Sequence, residues 1–110
     1  MSGERVVLIT APKGEGARIA RFIVERRLAA CVNVVPGVKS FYWWEGRLVE
    51  DSEELLVVKT VGDLVERLVA EVKRVHPYTV PEIISLPVEG GNADYLKWVR
   101  EEVSAPSGPG

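Results

Sequence analysis

Ala29-Ala30-Cys31-Val32-Asn33-Val34-Val35-Pro36-Gly37-Val38-Lys39-Ser40-Phe41-Tyr42-Trp43-Trp44, followed by Glu45-Gly46 and then Arg47-Leu48-Val49-Glu50-Asp51-Ser52-Glu53-Glu54-Leu55-Leu56-Val57-Val58-Lys59-Thr60, decides the fold. Both runs are rich in β-branched and aromatic residues, and the short polar break at Trp44-Glu45-Gly46-Arg47 reads as a hairpin turn with Gly46 where positive φ is needed. Each run has about 13 to 16 residues, on the order of 40 to 50 Å at about 3.3 Å per residue, or roughly twice the common strand length. A ribbon of that length overhangs a small domain. Pro36-Gly37 interrupts the first run and predicts a bulge or bend where the ribbon leaves the main sheet.

Toward the N-terminus, Val6 to Thr10 reads as a buried strand closed by a loop from Pro12 to Gly16. Ile19, Phe22, Ile23 and Arg26 then recur at i, i+3, i+4 and i+7 and predict a helix. On the other side, Val61, Leu64, Val65, Leu68, Val69 and Val72 predict a second helix, with Thr60 and Asp63 as a capping-box-like start and a stop before Pro77. Val80 to Leu86, broken by Pro81, reads as a short strand at an edge position or starting at the proline. Asn92 is placed to cap a last helix carrying Tyr95, Leu96 and Val99. The order βαββαβ plus a C-terminal helix predicts an α+β ferredoxin-like sandwich, an antiparallel sheet with both main helices on one face. The central strands are apolar in both phases (Val32, Val34 and Val57 against Cys31, Val35, Leu56 and Val58), so the second face also expects cover, and a homo-oligomer follows.

The 110 residues and 12.1 kDa fit one domain, expected over residues 1–103, with a flexible tail over 104–110 that carries no large apolar side chain. A net charge of −2 supplies no broad basic field, so nucleic acid is not an expected partner. Val6 to Ala11 is too short an uncharged run for a signal core or a membrane span, which makes the cytoplasm the expected location. The absence of Gln, with thirteen Glu and nine Arg, matches the composition of thermostable proteins. One Cys and one His exclude a closed Cys/His metal site inside a single chain. Metal chemistry must use carboxylates or ligands from neighbouring copies.

Lys13-Gly14-Glu15-Gly16 has neither dinucleotide nor Walker spacing, so no organic cofactor is identified. No spacing pairs a nucleophile with a base, and an enzyme is not expected. Phe41 to Trp44 suits interface packing better than base stacking, for which flanking cations are sparse. Glu50, Asp51, Glu53 and Glu54 read either as hard ligands for a divalent ion or, more simply, as a solvated edge that blocks strand pairing. In His76-Pro77-Tyr78-Thr79-Val80-Pro81-Glu82 the prolines stiffen an extended segment and fix the directions of His76, Tyr78 and Glu82. His76, Cys31 and Glu82 are the candidate metal ligands for copper or another divalent cation. The plainer alternatives are a loop histidine satisfied by local hydrogen bonds and a cysteine acting as a small hydrophobe.

Leu28 to Asn33, Ser40 to Gly46, His76 to Ile83 and Asn92 through Tyr95 to Trp98 together resemble the CutA family of divalent-cation tolerance proteins over about residues 5 to 103. The resemblance implies a ferredoxin-like homotrimer, similar in assembly to the PII signalling proteins, with strand pairing between subunits and no enzymatic activity. It also implies a role in tolerance of copper and other divalent cations. Copper ligands proposed for some members fall here on Ile9, Val75 and His76, of which only His76 is a ligand type. Two functions follow. One is metal binding at sites between subunits, and the other is a PII-like signalling or scaffold trimer whose clefts bind a small molecule or protein partner.

Overall fold

The long hairpin forms as two strands, β2 (Cys31–Trp44) and β3 (Arg47–Val61), and Glu45 and Gly46 both take positive φ at 51° and 76°. That sign combination is the one a two-residue type I′ turn requires. The computed structural model describes residues 3–104. Around the hairpin are β1 (Glu4–Pro12), α1 (Gly16–Glu25), α2 (Val65–Val75) after a 3-10 turn at Gly62–Leu64, β4 (Ile83–Pro87) and α3 (Ala93–Ser104). The strands form one sheet in the order β2-β3-β1-β4 with every pairing antiparallel, so β4 is at an edge as expected. It begins at Ile83, beyond the expected start, because the segment from Pro77 to Glu82 is loop.

Between the pairs Val35↔Leu55 and Val38↔Glu53, Pro36 and Gly37 together oppose the single residue Glu54. This is the expected bulge, with Gly37 at φ 72°. Because side chains alternate with period two, one extra residue exchanges the two faces of β2 relative to β3. Before the bulge, Val32 and Val34 share a face with Val58 and Leu56. Beyond it, Ser40, Tyr42 and Trp44 are opposite Asp51, Val49 and Arg47, on the face that Cys31, Val35 and Val57 use earlier. The expected phases are corrected accordingly: Val57 belongs with Cys31 and Val35, whereas Leu56 and Val58 belong with Val32 and Val34.

On the first face the core closes between Val7, Ile9, Leu56 and Val58 of the sheet, Ile19 and Ile23 of α1, and Leu68 and Val72 of α2. The second face is only partly covered. There α3 packs on β3 and β1 through Val99, and the ion pairs Arg27–Glu102 (2.9 Å) and Arg100–Glu4 (2.8 Å) hold it. Ile84 and Leu86, which pair with Leu8 and Val6, stay 49% and 46% exposed, and Val35 stays 42% exposed. Ser104 is the last residue of α3, so of the expected tail only that residue is seen, and 105–110 lie outside the described residues.

Helix starts follow different rules. Asn92 caps α3 as expected, its Oδ1 accepting the Asp94 N–H at 2.9 Å. Thr60 does not cap α2, because its hydroxyl is buried and donates to the Leu28 carbonyl at 2.7 Å. The first residue of α1, Gly16, donates its N–H to Glu54 Oε1 of β3 at 2.8 Å, a cap supplied from far along the chain where Glu15 gives none. A Cβ at Gly16 would meet Glu54 Oε1 at 2.6 Å and Val34 Cγ1 at 2.8 Å, so close approach of the helix to the sheet is what demands glycine. Gly16→Ala is expected to lower stability by about 1–3 kcal/mol through overpacking, and Glu54→Ala by about 0.5–2 kcal/mol through loss of the cap. Urea unfolding checks both, and the double variant should cost less than the sum because the alanine methyl already displaces the carboxylate.

Candidate functional site

Next to the outer arm of the hairpin, the segment after α2 turns back over the second face. His76 is 7% exposed at the end of α2. Its Nδ1 accepts the Tyr78 N–H at 3.0 Å, which leaves the proton on Nε2, and Nε2 donates to the Thr10 carbonyl at 2.8 Å. Both ring nitrogens are thus engaged by backbone, and a metal would have to displace one of them. The Tyr78 ring lies 5.0 Å from the imidazole, and its hydroxyl donates to Glu53 Oε2 at 2.6 Å. Glu53 is only 5% exposed, so this bond answers a buried carboxylate. One strand position pair away, the Tyr42 hydroxyl donates to Asp51 Oδ2 at 3.2 Å.

Thr10, Tyr42, Glu53 and Tyr78 border a cleft of about 750 Å³. Tyr42, Trp44 and Tyr78 supply its aromatic wall, and Glu53 and Glu82 its carboxylates. No Lys, Arg or His is among the described residues that line it. Burial, then the hydrogen bond and charge of Glu53, push the Tyr78 hydroxyl well above its ordinary pKa, and partial burial with the Asp51 hydrogen bond raises that of Tyr42. Both phenols therefore remain protonated donors at neutral pH.

Of the three expected ligands, only Glu82 reaches the cleft, where it is exposed. His76 stands behind the wall that Tyr78 forms. Cys31 begins β2, roughly 30 Å along the strand from Ser40 at about 3.3 Å per residue, beside Tyr95 of α3, whose hydroxyl pKa is raised by burial and by the neighbouring thiol. Ile9 is buried in the core and Val75 ends α2. Among the described residues, no three His, Cys, Asp or Glu side chains of one chain gather closely enough to hold a metal ion. The acidic run also divides. Glu50 is exposed near Lys39 (3.9 Å), as the solvated-edge reading expects, whereas Glu53 is buried in the cleft and Glu54 caps α1.

Residues 5–102 match the sequence model of the family described as "CutA1 divalent ion tolerance protein". The chain belongs to that family. It is 58% identical over 99 residues to the divalent-cation tolerance protein CutA of Thermus thermophilus, covering 89% of this chain and 96% of the relative. It is 52% identical over 94 residues to the human protein CutA, covering 84% of this chain but 52% of that one. The chain thus spans nearly all of the bacterial relative and about half the length of the human one. Among solved CutA1 family structures, the T. thermophilus protein superposes with a TM-score of 0.86 at 57% identity, over 90% of this chain and 97% of that one. A Nostoc structure titled "PII-like protein CutA" gives 0.84 at 34% identity, over 90% and 96%. The family resemblance and the α+β ferredoxin-like fold read from the sequence both hold. No helix among the described residues is long and apolar enough to cross a membrane.

The Tyr78 hydroxyl has a folded-state pKa above its unfolded value near 10, so the stability it contributes is present below pH 10 and is lost as pH rises beyond it. Tyr78→Phe is expected to cost about 1–3 kcal/mol at pH 7 by leaving buried Glu53 without its donor. It should also flatten the loss of stability above pH 10. Urea midpoints at pH 7 and in the alkaline range, with tyrosinate absorbance on the same samples, check both effects.

Proposed function

We propose that this CutA1 family chain serves divalent-cation tolerance as a cytoplasmic homotrimer that takes up metal ions, copper among them, at acidic clefts completed between subunits. The observation that carries this reading is the cleft's charge. Glu53 and Glu82 line it, Asp51 is tied to it through Tyr42, and no basic side chain among the described lining residues offsets them. A low-dielectric wall around unbalanced carboxylates concentrates cations. The donors are oxygens, which suit hard and borderline divalent ions over soft Cu(I). Assembly is supported by Val35 of β2 and Ile84 and Leu86 of β4, apolar side chains left bare at the two edges of the sheet on the cleft's face, which expect a protein partner.

A second reading is favoured by the cleft's size. A space of about 750 Å³ with aromatic walls falls within the usual range for small organic ligands, as in a PII-like signalling trimer.

Native mass spectrometry is expected to show a species of three chains, and a lone 12.1 kDa species at micromolar concentration would overturn the assembly. Calorimetry with copper(II) and manganese(II) should show Glu82→Gln binding about tenfold more weakly than the parent, consistent with loss of one charged ligand. Cys31→Ser should bind unchanged. His76→Ala should lower thermal stability while keeping most of its metal affinity. Full retention in Glu82→Gln with loss in Cys31→Ser would remove the oxygen cleft as the metal site.

A further inference from the structure

We propose that the cleft accommodates an organic cation, an alkylammonium or guanidinium group on a short aliphatic body. The inference rests on the cation-accepting cleft proposed above and adds the ligand class that the rest of the cavity selects.

Hydrogen-bond polarity gives the first argument. The Tyr78 and Tyr42 hydroxyls have their hydrogens committed to Glu53 and Asp51, so toward the cleft each phenol oxygen offers only acceptor lone pairs. Glu53 and Glu82 are acceptors as well. An anionic ligand would meet like charge, with only the Trp44 indole N–H and the neutral hydroxyls of Thr10, Ser40 and Thr79 as side-chain donors, whereas an ammonium or guanidinium brings three to five charged donors of its own to the carboxylates.

Wall chemistry gives the second. Tyr42, Trp44 and Tyr78 border the same space as the carboxylates. Aromatic faces carry negative quadrupole potential and attract alkylated cations, while their apolar area covers an aliphatic chain. A strongly hydrated bare metal ion gains little from such walls.

The third is scale. A divalent ion needs several oxygens converging at about 2.0 to 2.6 Å, and no three carboxylates of one chain converge in that way among the described residues. The separated acids and the volume of about 750 Å³ fit a larger cation that touches one carboxylate at its head and the rings along its body.

The test uses the full chain in its native assembly, in chelator-treated buffer. Butylammonium, 1,4-diaminobutane and butylguanidinium are titrated against butanol and butyrate, with calorimetry and tryptophan fluorescence as readouts. The cations should bind saturably and at least about tenfold more tightly than butanol or butyrate. Trp44→Leu and Glu82→Gln alter exposed side chains and should fold; each should weaken the cations about fivefold to tenfold. Trp98→Phe, on α3, should leave binding unchanged. Equal binding of butanol and butylammonium would overturn the proposal by showing a merely apolar pocket. If no amine binds while divalent ions still titrate in a Glu82-dependent way, this inference fails and the proposed function stands. If neither binds, both fail. Absence of amine binding together with a Trp44 that acrylamide cannot quench would assign the cleft to a segment of a second copy, again overturning it.

Discussion

The register shift at Pro36-Gly37 is the constraint on which the rest of the molecule depends. With a single uninterrupted register, the even-numbered residues of β2 would face the helices along its whole length, and Tyr42 and Trp44 would stay on the side of Val32 and Val34. Two residues set against Glu54 exchange the faces, so one ladder closes the core near its base and builds an aromatic wall on the opposite surface farther out. The residues at the bulge suit what it costs. Proline has no N–H to leave unpaired, and glycine accepts φ 72° without a Cβ penalty. The residue opposite is also put to use: Glu54 turns toward the helices and receives the first N–H of α1. One irregularity thereby fixes the direction of the ribbon, the start of a helix and the side on which the cleft forms.

The cleft's inner wall is a chain of mutually satisfied polar groups. Thr10 offers a carbonyl to His76, His76 accepts the Tyr78 N–H, and Tyr78 donates its hydroxyl to Glu53. Each link leaves the next with a defined role. A buried carboxylate without a donor would cost several kcal/mol, and the Tyr78 hydroxyl supplies that donor. His-Pro-Tyr therefore works as a unit: the imidazole locks the turn that aims the phenol, and Pro77 stiffens the path between them. The only histidine of the chain is accounted for without metal, which shifts metal chemistry toward the carboxylates.

What was legible in the sequence was local. The hairpin, the bulge, the Asn92 cap and the edge position of β4 each depend on residues within a few positions, where turn chemistry and proline act directly. Partnerships made across the fold were not legible. Thr60 and Asp63 have capping-box spacing, yet the Thr60 hydroxyl is buried against the Leu28 carbonyl, a contact that exists only once β3 lies under that loop. Glu50, Asp51, Glu53 and Glu54 look alike as a run, and only the folded strand sends Glu50 to solvent, Asp51 to the Tyr42 hydroxyl, Glu53 to the cleft and Glu54 to a helix end. One Cys and one His are too few for a closed site in one chain, and their count could not reveal that His76 would have both nitrogens taken by backbone. A signal was present in the Pro-Tyr that follows it, since a histidine two residues before an amide is placed to accept from it.

Assembly and binding are physically linked in this arrangement. Val35, Ile84 and Leu86 occupy the same face of the sheet as Glu53 and Tyr42, so a neighbour that covered that face would also lower the dielectric around the cleft. Lower dielectric strengthens attraction between a carboxylate and a cation, and it equally raises the cost of leaving that carboxylate alone. In the proposed trimer, cation occupancy and subunit contact therefore favour each other. By linkage, assembly would tighten cation binding by the same factor by which cation binding would favour assembly. In the proposed trimer, a cleft that is weakly acidic in one chain would become a selective cation site only when the sheet face beside it is covered.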